Sequence, residues 1–201
     1  MHPTPATQTA AMRGLYYDRV TIALHWTSAV LIGLLWGIGQ TIDFAPQGAL
    51  RVDYRSLHML LGITLVGVFI TRVVWRLSRG RSLPGVGNEL MQWIARLTHW
   101  ALYLLILTAL LLGLTNVWVR GDAIFNLLTV PAFDPGNKAL RALIGDWHAL
   151  AANAILILAG VHAAAALFHH VILRDGVLRR MLPHGVTRAF RCATARTGGG
   201  A

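Results

Sequence analysis

The sequence has little charge. Asp, Glu, Lys and Arg make up 13% of its 201 residues, against about 25% in a typical soluble domain. Hydrophobic residues make up 55%, and the mean hydropathy is +0.55. Acidic residues are scarcer still, 8 against 18 basic ones, giving a net charge of +10. That excess does not make a nucleic-acid-binding domain, because a basic patch needs a polar surface to sit on and too little polar sequence remains. Cysteine is nearly absent. Cys192 is the sole one, which excludes a disulfide framework, an iron–sulfur cluster or a thiolate zinc site within one chain. The first nineteen residues contain no apolar h-region, so no cleavable signal peptide is expected and the first apolar run must act as the insertion signal. There is no internal repeat and no soluble domain.

Four long apolar runs are present instead. They cover roughly residues 20–39, 57–77, 94–119 and 143–173, each long enough to cross about 30 Å of hydrocarbon at 1.5 Å per residue. The fourth, at about 45 Å if helical throughout, should tilt or stand proud of the bilayer. Runs of this length without alternation are helices, since lipid leaves no other way to satisfy the backbone. The expected fold is therefore an all-α, integral-membrane four-helix bundle over residues 20–177. A cytoplasmic N-terminal segment (1–19) precedes it, and a basic, unstructured cytoplasmic tail (178–201) follows.

Basic residues set the orientation. With the N-terminus inside, 13 of the 18 fall on the inner side and Arg51, Arg55, Arg120, Lys138 and Arg141 on the outer. The positive-inside rule predicts this asymmetry and puts both termini in the cytoplasm. Residues 40–54 and 120–142 become outer connectors, the second carrying the turn signal Asp134-Pro135-Gly136. Residues 78–90 form an inner loop.

Nine histidines carry the chemistry. His2 and His184 are terminal, but His25, His58, His99, His148, His162, His169 and His170 lie in or beside the spans, where ionisable groups are costly and mark function. His148 and His162 are 14 residues apart, a helical rise of about 21 Å with both imidazoles on one face. They serve two centres, one above the other. His25 lies at the depth of His162 and His58 at the depth of His148, giving an inner couple, His25/His162, and an outer couple, His58/His148. A zinc site would want further ligands, and only Asp146 is near the outer couple. Two opposed imidazoles with no open position suit a six-coordinate, low-spin haem. The absence of Cys-x-x-Cys-His makes such a haem non-covalent. Small residues accompany the histidines: Gly33 and Gly37, Gly62, Ala149, Ala151, Ala152, and Ala163 to Ala166. They admit either a flat macrocycle or ordinary close helix packing, and Gly33-x-x-x-Gly37 suits a dimer equally well.

Over roughly residues 16–183 the chain resembles the bacterial cytochrome b561 family of four-helix, di-haem inner-membrane proteins. The resemblance rests on Tyr17-Asp18-Arg19 followed by Leu24-His25-Trp26, and on His58 with Gly62. It rests most on the run from Trp147-His148-Ala149 through Gly160-Val161-His162-Ala163 to Phe168-His169-His170, and the closing Arg179-Arg180-Met181-Leu182-Pro183 also fits. It implies two b-type haems stacked across the bilayer and electron transfer between an outer donor and membrane ubiquinone. Some members resemble superoxide oxidases, so superoxide is one candidate donor.

Other residues receive secondary expectations. His169 and His170 are quinone or proton-relay candidates, with interfacial anchoring the alternative. His99, at the inner depth, should hydrogen-bond a haem propionate or line the quinone pocket. Arg72 and Arg76 are candidates for inner propionates or for headgroup anchoring. Arg51, Arg55, Lys138 and Arg141 are candidates for an outer basic patch, with lipid headgroup contact the competing reading, since Asp43, Asp53, Asp122, Asp134 and Asp146 balance the outer charge. The tryptophans mostly lie toward the span ends, as interfacial belts do. Two other functions stand beside the leading one: a conduit serving a periplasmic redox protein, including quinol oxidation in reverse, and a non-redox membrane scaffold. Donor, direction of flow, potentials and oligomeric state do not follow from the sequence.

Overall fold

A computed structural model describes residues 16–80, 83–125, 127–134 and 136–182. His2, His184, Cys192 and the end of the basic tail lie outside them. Four long helices make up the bundle: α1 (Arg19–Thr41), α2 (Ala49–Ser78), α3 (Glu89–Arg120) and α4 (Lys138–Phe168). All four are long and apolar enough to cross a membrane. Large side chains face outward as lipid-facing residues should, with Leu77 83%, Ile157 70% and Leu97 70% exposed.

Local signals set the helix ends. Asp18 caps α1 by accepting from the Thr21 amide (2.8 Å) and the Thr21 hydroxyl (2.6 Å). Asn88 and Asn137 do the same for α3 and α4, accepting from Met91 N and Leu140 N, both at 2.9 Å. Gly121 ends α3 in the left-handed region at φ +67, where a Cβ would lie 2.6 Å from that of Ala132, so only glycine fits. α4 does not run on unchanged to Leu173: its last turn, His169–Leu173, is a π-helix closed by Arg174 at φ 52.

The connectors differ from expectation in two places. The outer connector expected over 40–54 shrinks to a 3-10 turn (Ile42–Phe44) and a few residues, because α2 begins at Ala49, about two turns before its apolar run. Residues 49–56 include Arg51, Asp53 and Arg55, and a hydropathy window cannot see an amphipathic extension of that kind. Within 120–142, Ala123–Ile124 pairs with Leu128–Thr129 as a short antiparallel hairpin, β1–β2. Its anchor is Ser56, which is fully buried: its hydroxyl donates to Val52 O (2.8 Å) and accepts from Phe125 N (2.8 Å). The start of the expected tail is also folded. Leu178–Met181 forms a 3-10 turn, held by Trp26 Nε1 donating to Met181 O (2.8 Å) and by Arg180 donating to Pro84 O (2.8 Å).

The helices pack as two close pairs, α1 with α2 and α3 with α4, while α2 and α3 barely meet. A small core lies between α3 and α4: Ala109, Ala151 and Ile155, with Leu105 and Ile106 of α3 and Ile32 of α1 against them. A polar tie crosses it, Trp36 Nε1 donating to Asn153 Oδ1 at 2.9 Å. Trp36 thus ties α1 to α4.

Candidate functional site

The seven expected histidines fall at two levels of the bundle and at its inner rim. Here "inner" denotes the end where α1 begins and α2 ends. The structure pairs the four ligand candidates as their depths predict: ring centres of His25 and His162 are 6.4 Å apart, and those of His58 and His148 are 6.1 Å apart. A metal–imidazole bond is about 2.1 Å and a ring nitrogen lies roughly 1.2 Å from the ring centre, so two imidazoles opposed across one ion put their centres about 6.5 Å apart. Both couples have that spacing. His99 is closer to His162, at 5.1 Å, too short for two imidazoles opposed across one ion. The distances therefore favour His25 over His99 as partner of His162. No group of three or more His, Cys, Asp or Glu side chains among the described residues is arranged to hold a metal ion.

At the outer level, His148 Nδ1 lies 3.0 Å from Ala109 O. A carbonyl can only accept, so Nδ1 carries the proton and Nε2 keeps its lone pair, the state in which metal-bound histidines are held. Two glycines make room for the rings. A Cβ on Gly113 would lie 3.2 Å from His148 Cε1, and one on Gly39 would lie 3.5 Å from His58 Cε1. Neither stands out by residue order: each serves a ring on another helix, and no local pattern marks it. Nδ1 of His58 and Oδ1 of Asn116, one turn beyond Gly113 on α3, are buried without a hydrogen-bond partner. Such atoms are expensive to leave unmet, and they fall at the level where a polar ligand is expected. By contrast, a Cβ on Gly33, Gly37 or Gly62 would meet nothing within 4 Å, so no helix contact among the described residues requires these glycines.

At the inner level, Arg72 joins three helices. From α2, its Nε donates to Tyr103 Oη on α3 (3.0 Å), and its Nη2 lies 3.2 Å from His25 Nδ1 on α1. The guanidinium also sits 5.4 Å from the Tyr103 ring centre. Arginine has no acceptor, so His25 Nδ1 accepts here and its proton is on Nε2. For His25 to offer Nε2 to a metal that bond must be released, whereas the Tyr103 bond can persist. Tyr103 was not visible as a site residue in the sequence, because an aromatic on an apolar helix reads as packing. Arg76, one turn further, is exposed at the inner end.

At the inner rim, His169 and His170 form part of the π turn. His169 Nδ1 is bonded to Asp175 Oδ2, and Asp175 Oδ1 accepts from Val177 N (3.1 Å). Burial opposes ionisation of Asp175, but the His169 bond, the Val177 amide and the nearby Arg180 charge outweigh it and hold the carboxyl below its ordinary range. The Tyr17-Asp18-Arg19 motif also gains a role at this end: Trp75 Nε1 on α2 donates to Asp18 Oδ1 at 3.0 Å, fixing the start of α1 against α2.

The outer basic candidates divide. Arg51 binds the connector backbone, with Nε 2.9 Å from Ala45 O and Nη2 3.0 Å from Asp43 O. Arg55 has Arg120, Asp122, Asp43 and Arg51 as its charged neighbours, and Arg120 pairs with Asp122 at 3.3 Å. The cluster at this end is therefore Arg51, Arg55 and Arg120 interleaved with carboxylates, while Lys138 and Arg141 belong to the first turn of α4.

Residues 16–184 match a family described as prokaryotic cytochrome b561. The chain is 29% identical over 171 residues to a protein of Yersinia pestis named probable superoxide oxidase CybB, covering 83% of this chain and 96% of that one. It is 33% identical to cytochrome b562 of Cereibacter sphaeroides, covering 83% and 94%. It is 28% identical to cytochrome b561 homolog 1 of Escherichia coli, covering 83% and 97%.

Proposed function

Since the chain belongs to the prokaryotic cytochrome b561 family, whose members are multi-pass membrane proteins that bind b-type haem and carry electrons across the bilayer, we propose that it is a two-haem superoxide:ubiquinone oxidoreductase. His25 and His162 hold the inner haem, and His58 and His148 the outer one. Both chain ends lie in the cytoplasm and the protein sits in the inner membrane. The observation that carries this reading is the pair of imidazole couples at 6.4 and 6.1 Å, set at two levels along one helix.

When bound, each haem supplies a one-electron couple. The protein's own residues do the rest. The Ala109 carbonyl fixes the His148 tautomer, and Gly113 and Gly39 leave the rings their room. Two histidines on each iron would leave it no open position, and such a site would relay electrons without binding oxygen. An outer donor gives up one electron per turnover, and two such electrons with two protons reduce a quinone to quinol. His169, His170 and His99, at the inner rim and inner level, are the groups proposed to bind the quinone or pass those protons. The name of the Yersinia pestis relative supports superoxide as the donor.

A second reading, a conduit for a periplasmic redox protein, draws on the folded outer connector, where the hairpin is bonded to Ser56 of α2. The test is superoxide-dependent reduction of a short-chain ubiquinone by the purified, haem-loaded chain. Reduction without any other protein supports the oxidase. No reduction by superoxide, with haem reduction by an added periplasmic donor, would transfer the assignment to the conduit.

A further inference from the structure

The two histidine couples have opposite electrostatic surroundings. At the outer couple, His148 donates a hydrogen bond from Nδ1–H to the Ala109 carbonyl. A ring hydrogen-bonded to an acceptor is a more basic ligand, and a more basic ligand favours the oxidised metal. At the inner couple a permanent cation touches a ligand ring: Arg72 Nη2 is 3.2 Å from His25 Nδ1. The Arg72 charge acts on His25, His99 and His162 alike. Its hydrogen-bond partners here, Tyr103 and His25, are both neutral acceptors, so neither cancels its charge. A nearby fixed positive charge favours the state carrying one more electron.

We propose that Arg72, held at the inner level by Tyr103, raises the reduction potential of the inner site above that of the outer one, so that electrons run downhill from the outer couple to the inner. The step balances simply. One electron leaves the outer site, which is oxidised by one, and enters the inner site, which is reduced by one. No bond forms or breaks, and no proton is needed. Tyr103 matters because the Nη2 bond to His25 must be released when that ring ligates through Nε2, and the Nε bond to the Tyr103 hydroxyl (3.0 Å) then keeps the charge in place. Arg72 is a positioning and tuning residue here, not a catalytic one. The inference rests on the two-haem reading above.

The experiment is an equilibrium redox titration of the haem-loaded protein followed by its absorption spectrum, with the component missing in His25→Ala identified as the inner one. In the wild-type protein the inner component should be the higher-potential of the two. Arg72→Gln should shift it down by the equivalent of about a tenfold change in electron partition or more, about 59 mV for a one-electron couple, and leave the outer component in place. Arg72→Lys, which keeps the charge, should restore most of the shift, and Tyr103→Phe should give an intermediate value. Two haems with an unmoved inner potential in Arg72→Gln, or an inner component that titrates below the outer one in the wild type, would overturn the proposal. Loss of a haem in Arg72→Gln would overturn it too, making Arg72 a binding group. A wild-type chain that takes up no haem would instead overturn the two-haem reading itself.

Discussion

Replacing Gly113 with alanine tests whether the outer couple is as tightly fitted as its geometry indicates. The added Cβ would lie 3.2 Å from His148 Cε1 and 3.5 Å from Nδ1, against about 3.5–4.0 Å for comfortable carbon contacts. The ring must therefore move by several tenths of an ångström. It is not free to do so, because Nδ1 is bonded to Ala109 O at 3.0 Å and the ring faces His58 at 6.1 Å. Overpacking of this kind costs about 1–3 kcal/mol. Alanine in place of glycine in a helix returns about 1 kcal/mol, so the net destabilisation should be about 0–2 kcal/mol. The matched control is Gly39→Ala, whose Cβ would meet His58 Cε1 at an ordinary 3.5 Å. It should gain up to about 1 kcal/mol from helix propensity. Thermal unfolding in detergent followed by circular dichroism, with the haem spectrum recorded on the same samples, separates the two variants. Gly113→Ala should melt lower than Gly39→Ala and alter the outer spectral component alone. Equal melting temperatures with unchanged spectra would refute the reasoning.

Three further outcomes follow from contacts away from the couples. Ser56→Ala strands the Phe125 amide that pins the hairpin to α2; it should cost about 1–3 kcal/mol and raise hydrogen exchange in residues 123–129, whereas unchanged exchange there would mean the hairpin is held by other contacts. Asp18→Ala removes both the α1 cap and the Trp75 acceptor, for a loss of about 1–3 kcal/mol in denaturant titration; a loss of a few tenths would show the motif is not structural. Asp175 has a depressed pKa in the folded chain, so its stabilising contribution is present above the unfolded value of about 3.9 and fades as pH falls through the lower folded value. Acidification should then loosen residues 169–182 in the wild type but not further in Asp175→Asn, and identical acid dependence of hydrogen exchange in the two proteins would contradict this.

Much of this arrangement can be read from residue order, for an identifiable physical reason. A bilayer demands long apolar helices, so helix existence and depth are written in hydropathy, and depth alone pairs His25 with His162 and His58 with His148. What escapes is whatever depends on neighbours distant in sequence. Gly113 and Gly39 matter because of rings on other helices, Tyr103 because Arg72 reaches it from α2, and Ser56 because a hairpin some seventy positions later needs its hydroxyl. The early start of α2 escapes because charged residues at a helix end lower the mean hydropathy without breaking the helix. Arg51 looks like free outer charge until its guanidinium is found on the carbonyls of Asp43 and Ala45. The π turn escapes as well: nothing in His169-His170-Val171 distinguishes it from one more turn of α-helix, and the Asp175 contact with His169 comes from beyond it.

The central claim is that four particular histidines form two metal-bridging couples. Its most direct test is a reduced-minus-oxidised spectrum with a chemical haem count, for the wild-type chain and for His25→Ala, His162→Ala, His58→Ala and His148→Ala. The wild type should hold two low-spin b-type haems, with one spectral component lost in both His25→Ala and His162→Ala and the other lost in both His58→Ala and His148→Ala. Loss of the same component in His25→Ala and His58→Ala, or one haem per wild-type chain, would contradict it.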